Sequence, residues 1–296
     1  VSEPSSVTER RVARVLAYLA RELDVDGADL SLDTLAGVAG MSKFHFHRQF
    51  AAITGTTVAR LLARWRLKRA SMTLAFARQA RVSDVAQGAG YGSPEAFARA
   101  FRELQGQSPT EFRRAPAWEH WAHAFRTSHP SQERPMPEQE QFAVEVVQFP
   151  ETMVAALEHR GAPATLMASV ARFIEWRKAS GASPAHRSHT YGVAFDDPGA
   201  VAPPDVRFDI CGSVDAPVPP NSWGVVTKTI AGGACAVTTH RGSTDAIGAT
   251  VMRLYREWLP GSGRSLRDAP LFFHYKRRMP DVHEPDQLTD VYLPLA

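Results

Sequence analysis

Residues 82–113 read VSDVAQGAGYGSPEAFARAFRELQGQSPTEFR. Val85, Ala86 and Ala89 recur at helical spacing, and then GYGS (90–93) breaks the pattern. Phe97, Phe101 and Leu104 make a second helical stripe. Ser83 is expected to cap the first helix and Ser93 the second, with Pro94 at its first position and Gly106 at its end. Two short helices joined through a glycine-containing turn form a helix-turn-helix, a unit that carries one helix into a DNA groove.

The same unit stands 51 positions earlier: Asp33 matches Asp84, Ser42 matches Ser93, Phe46 matches Phe97, Arg48 matches Arg99, Phe50 matches Phe101 and Gly55 matches Gly106. In this copy Ser31 opens a helix carrying Leu35, Ala36 and Val38. AGMS (39–42) turns the chain, and Ser42 caps a helix whose stripe is Phe46, Phe50 and Ile53. At about 100° per residue, the face opposite that stripe gathers Phe44, His47, Arg48 and Ala51. The second copy gathers Glu95, Ala98, Arg99 and Arg102 in the same way. An arginine can fork onto guanine O6 and N7, an imidazole can donate to a base or phosphate, and a phenyl ring can pack on a thymine methyl. The expected DNA contacts are Ser42, Lys43, Phe44, His47 and Arg48 in the first reader. In the second they are Ser93, Glu95, Ala98 and Arg99. Between the readers, TVARLLARWRLKRASMTLAF (57–76) predicts a long helix with Val58, Leu61, Leu62, Trp65 and Met72 on its packing stripe. Arg64, Arg66, Lys68 and Arg69 read as mostly off that stripe, in contact with phosphate or solvent. Residues 7–23 predict a further helix that packs through Val12, Val15, Leu16, Leu19 and Leu23.

On these motifs, residues 7–114 resemble the DNA-binding domain of the AraC/XylS family of transcription regulators. The resemblance implies that one chain inserts both readers into successive major grooves on one face of double-stranded promoter DNA. It matches Phe44, His47 and Arg48, and then Glu95, Ala98 and Arg99, to base-contacting places. Ala98 departs from the polar residues common at its position, so the second reader is expected to specify fewer bases.

Charge agrees with this division. The chain carries a net +3. Residues 1–115 hold 17 Lys+Arg against 11 Asp+Glu, a net of +6, and the remaining 17 basic and 20 acidic residues give −3. A basic front and an acidic back point to a polyanion at the front only. No stretch is long and apolar enough to cross a bilayer, and the first residues lack a signal peptide's apolar core. Cys211 and Cys235 form no disulfide or metal pattern, so the expectation is a reduced cytoplasm and no membrane partner. Residues 116–140 read as a linker that opens on a short helix bearing Trp118, Trp121 and Phe125. His120 and His123 lack a third ligand, so no metal is expected.

The acidic half repeats at 81 positions: HRG at 159–161 returns at 240–242. A strand precedes each copy (TMVAALEHRG, ACAVTTHRGS), a helix ending near Trp176 or Trp258 follows, and two strands come next. Each repeat reads as strand-helix-strand-strand, and helices segregated onto one side of an antiparallel sheet give an α+β domain. The expected architecture is an all-α front, with two helix-turn-helix units joined by a long helix, and this α+β back. The repeated HRG reads as shared turn geometry rather than catalysis.

Residues 141–296 resemble the GyrI-like, or effector-binding, domain, in the domain order of Rob-like regulators, through VRFDICGSV (206–214) and QLTDVYLPLA (287–296). The resemblance implies a small, hydrophobic effector in a cleft between the repeats, with Tyr191, Phe208, Trp223, Phe273, His274, Tyr275 and Asp290 as candidate contacts. Many relatives hold a buried glutamate that pairs with cationic ligands in the strand matching LFFHYKRR (271–278), and here His274 takes its place. Neutral or anionic ligands, or binding that titrates near pH 6.5, are therefore expected. Alternation puts Phe272 and His274 on one face and Phe273 and Tyr275 on the other. The combined reading is a regulator, in all expectation an activator that contacts RNA polymerase, with no cofactor and no catalytic residues. A small-molecule hydrolase and a ligand-free protein-recruiting module are the alternatives.

Overall fold

The computed structural model describes residues 7–23, 28–77, 79–125, 142–196 and 201–296. The first part is helical: α1 Val7–Glu22, α2 Leu32–Ala39, α3 Lys43–Thr54, α4 Val58–Phe76, α5 Val82–Gly88, α6 Pro94–Gln105, α7 Pro109–Arg114 and α8 Trp118–Phe125. The repeat is visible in the boundaries, since α3 moved by 51 positions is α6. The local causes are those the sequence names. Ser31 and Ser93 accept from the backbone N–H groups of Thr34 and Ala96, and Gly55 and Gly106 end α3 and α6 with φ of 68° each. Two expected caps differ. Ser42 holds the cap position of α3 without a side-chain cap bond, and Arg81 rather than Ser83 precedes α5. Ser83 instead lies inside the helix and donates to Asp84.

Each unit closes its own core. Phe46 and Phe50 pack with α1, α2 and the first half of α4, while Phe97 and Phe101 pack with α5, α7 and the second half of α4. All four rings are fully buried, worth about 1.5–3 kcal/mol apiece by area. Helix α4 is thus the shared wall of both units and sets their separation. The expected linker begins with structure: Trp118, Trp121 and Phe125 of α8 complete the core of the second unit, and Trp121 Nε1 donates to Ser71 Oγ at 2.6 Å. The rest of that stretch, from 126 to 140, lies outside the described residues.

The second part is one antiparallel sheet of eight strands, β1 Glu145–Phe149, β2 Thr152–Arg160, β3 Thr190–Ala194, β4 Arg207–Ser213, β5 Val225–Ile230, β6 Gly233–Arg241, β7 Leu271–Arg277 and β8 Leu288–Pro294. Their spatial order is β1-β6-β8-β7-β3-β4-β2-β5. Each repeat thus carries one strand more than its quoted stretches suggest, because β1 and β5 open the repeats. The two copies join at the centre of the sheet, where β3 pairs with β7, Tyr191 opposite His274, and they exchange their opening strands, β1 lying on β6 and β5 on β2. Helix α9 (Leu166–Ser180) covers β2 and β4, and α10 (Ile247–Arg253), continued by a π-helical turn and α11 (Leu259–Ser262), covers the other repeat on the same face. The opposite face has its own apolar cluster of Phe149, Ala156, Tyr191, Cys211 and Phe272.

The repeated HRG receives a structural explanation. His159 shares a hydrogen bond with Ser169 of α9 at 2.9 Å, and His240 with Thr250 of α10 at 2.8 Å. The pairs are equivalent under the repeat, each tying a strand to its covering helix. Gly161 and Gly242 follow with φ of 141° and 103°, where a side chain would strain the turn.

Candidate nucleic-acid interface and effector cavity

On α3, His47 and Arg48 are exposed opposite the buried phenylalanines, and on α6 Glu95, Arg99 and Arg102 are exposed in the matching places. Ala51 and Ala98 are half-buried. The Phe44 side chain lies outside what is described. Lys43 makes an ion pair with Asp33, and the Ser93 hydroxyl is engaged by its cap bond. Each unit therefore presents an exposed arginine on a helix seated by its buried phenylalanines, on a face that nothing else covers among the described residues.

Two basic residues of α4 meet neither of their expected fates. Lys68 is 4% exposed, and its Nζ lies 2.5 Å from Glu284 Oε1 and 3.1 Å from Asp245 Oδ2. Desolvation opposes the ammonium charge, but Glu284 and then Asp245 outweigh it and raise the pKa above the usual lysine range. Arg69 donates to Pro280 O at 3.2 Å and reaches His283 Nε2 at 2.7 Å. Lys178 of α9 donates to Phe76 O at 2.7 Å. These contacts seat the reader-spacing helix on the β-domain. The sequence held a signal for the lysine: Lys68 follows Leu61 by seven positions and Trp65 by three, which places it on the packing stripe.

The candidate effector residues divide between two faces. Phe208, Phe273 and Tyr275 lie beneath the helices, where Phe208 bridges both helix-covered clusters. Gly192 has no room for a side chain there, since a Cβ would stand 2.8 Å from the Tyr275 hydroxyl. Trp223 is half-buried at the edge of the α9 cluster. Tyr191, His274 and Asp290 occupy the helix-free face, away from that packing. His274 shares a hydrogen bond with His189 at 3.1 Å, and Asp290 pairs with Lys276 at 2.6 Å. Burial, aided by His189 and Lys276 and opposed by Asp290, pushes the His274 pKa down to about 4. The ring is therefore neutral at neutral pH, and titration near 6.5 is corrected downward for the unliganded protein. Of the seven candidates, only His274 and Tyr275 line a cavity of about 310 Å³ at the start of β3 and the end of β7. The sequence reading missed its other principal walls, Ser188, His189, Thr190, Lys276 and Arg278. They come from a loop and a strand end, where periodicity carries no signal.

Comparison with known proteins matches these two parts. A family model described as the GyrI-like small molecule binding domain matches residues 142–296, and a helix-turn-helix domain model matches residues 35–115. The chain is similar to the probable transcriptional regulator YgiV of Escherichia coli (strain K12), 49% identical over 153 residues, 52% of this chain and 96% of that protein. It is also similar to the right origin-binding protein of the same strain, 33% identical over 104 residues, 35% of each chain. Among solved structures, the cryo-EM structure of the EcmrR–DNA complex in EcmrR-RPo aligns over 95% of this chain and 93% of that one, with 13% identity and a TM-score of 0.45. With a duplicated reader in front and a duplicated sheet behind, the chain belongs to the GyrI-like small molecule binding domain family, as a DNA-binding transcription regulator of the AraC/XylS type.

Proposed function

We propose that this chain is a one-component, cytoplasmic transcription activator. Its α3 and α6 read bases in successive major grooves, its C-terminal domain senses a small molecule, and it acts through RNA polymerase. The observation that carries the reading is the matched exposure of Arg48 and Arg99 on helices that repeat one another across a shared wall. The base contacts assigned are His47, Arg48, Glu95 and Arg99, with Ser42, Lys43 and Phe44 beside the first reader and Ser93 and Ala98 beside the second. A regulatory rather than enzymatic role is supported at position 274: a hydrolase of this domain type would use a tyrosine and a glutamate in the cleft, and histidine stands here in the glutamate's place.

Site selection from random duplex DNA by the full chain tests this. Arg48→Ala is expected to relax one or two base pairs in one half of the selected site, and Arg99→Ala to do so about 10 base pairs away. Each loss should be about 1–3 kcal/mol if the contact forks onto guanine. Uniform weakening across all sequences would make that arginine a phosphate contact and overturn the assignment.

A further inference from the structure

The cavity between β3 and β7 holds an electrostatic imbalance. Arg278 Nη1 donates to Thr190 Oγ1 at 2.7 Å, and Arg177 Nη1 donates to the same oxygen at 2.8 Å. One hydroxyl thus accepts from two guanidinium groups, and the like charges are held close together. Arg177 commits its Nε and Nη2 donors to Ser183 and Ser188. Thr190 is the one protein acceptor of Arg278 among the described residues, which leaves most of its planar fork for something else. Neither guanidinium forms an ion pair among the described residues. Lys276, also at the cavity, is matched by Asp290, and Asp281, itself a wall of the cavity, attracts Arg278 without pairing with it directly. The walls thus hold two cations, Lys276 and Arg278, against Asp281, and behind them Arg177 and Asp290 offset each other, so the site keeps a surplus of one positive charge. Burial, and then the charge of Arg278, lower the Arg177 pKa to about 10, as expected for a cation held without its own counter-ion.

We propose that this cavity binds a small organic carboxylate, whose oxygens take the open fork of Arg278 beside Thr190 and Ser188. A surplus of one positive charge suits a monoanion better than a phosphate dianion. Neutral His274 and the Tyr275 ring offer the apolar body a wall, and 310 Å³ lies at the lower end of small-molecule sites. Bidentate Arg–carboxylate pairing supplies the orientation.

The site also has an exit for its signal. The chain leaving Arg278 is the segment that seats α4: Met279 packs on the core of the second unit, Pro280 O and His283 hold Arg69, and Glu284 holds Lys68. A ligand that draws on Arg278 acts on the seat of the helix that spaces the readers. Occupancy is therefore coupled to DNA affinity, by several-fold to about 100-fold. This deepens the regulator reading and rests on it.

Isothermal titration of the full chain with benzoate tests the site, with benzamide and benzylamine as neutral and cationic counterparts of the same shape and inorganic phosphate as a dianion. Benzoate should bind saturably and at least tenfold tighter than the other three. Arg278→Gln should abolish this binding, and Arg278→Lys, which keeps the charge but not the fork, should weaken it. No benzoate binding, equal binding of all four probes, or unchanged binding by Arg278→Gln overturns the proposal. Fluorescence anisotropy with a selected DNA site reads the coupling: benzoate should change the affinity of the wild type several-fold and leave that of Arg278→Gln where it was. Benzoate binding with no change in DNA affinity removes the link to α4. Failure of the unliganded full chain to select any DNA sequence would instead overturn the regulator reading.

Discussion

Replacing Lys68 with methionine removes one charge and keeps the stem that passes Trp121 and Phe125, whose ring centroids lie 5.7 and 5.9 Å from Nζ. The substitution isolates the ion pair from the packing. Its cost follows from what is left behind. The Glu284 side chain is 11% exposed, so its carboxylate would stay in the interface without a cation. Breaking a buried pair from one side costs about 3–5 kcal/mol. The Asp245 side chain is 52% exposed and turns to water, so its arm adds about 0–1 kcal/mol. Lys68→Met is therefore expected to destabilise the protein by about 3 kcal/mol. Adding Glu284→Gln should recover most of the loss, because the stranded charge is gone, giving a coupling energy of about 2 kcal/mol or more in a double-mutant cycle. Urea titration followed by tryptophan fluorescence measures the cycle. Two packed domains need not unfold in one step, so hydrogen exchange of the α4 amides is read alongside. A cost under about 1 kcal/mol, or a coupling near zero, would refute the claim that this pair seats α4.

Gly192→Ala should destabilise by about 1–3 kcal/mol in thermal melts, because the new methyl meets Phe208 Cζ and the Tyr275 hydroxyl in a filled space; a neutral substitution would mean that those rings can move aside. His274, faced by His189, Tyr191, Lys276 and Asp290, has a folded pKa of about 4 against an ordinary 6.5. The unfolded chain therefore binds more protons between those values, and the contribution of His274 is intact above pH 6.5 and lost as pH falls toward 4. That loss is at most about 3 kcal/mol, reduced because solvent reaches the ring. Urea midpoints at pH 7 and 5 should differ less in His274→Asn than in the wild type, and equal differences would count against this account.

Much of the front half was legible because its determinants are local. The spacing of Phe46, Phe50, Phe97 and Phe101 gave both buried stripes, and the 51-residue repeat reappears in α3 and α6 almost residue for residue. Serine caps and glycine stops act within one turn of the residue that carries them. In the back half the 81-residue repeat located the HRG strands and their helices, and alternation separated His274 from Phe273 and Tyr275. Alternation says which residues share a face, but not which face the helices cover. That was decided by α9 and α10 packing on the Phe273 and Tyr275 side. The first strand of each repeat was passed over because EVVQF and VVTKTI take their place only by pairing with β6 and β2. The same limit governs the charged residues. Lys68 meets carboxylates 177 and 216 positions away, and Arg278 meets Thr190 88 positions away. A helix or strand records its own period in the chain. The neutralisation of a buried charge depends on which distant groups the fold brings within a few ångströms, and only the tertiary structure decides that.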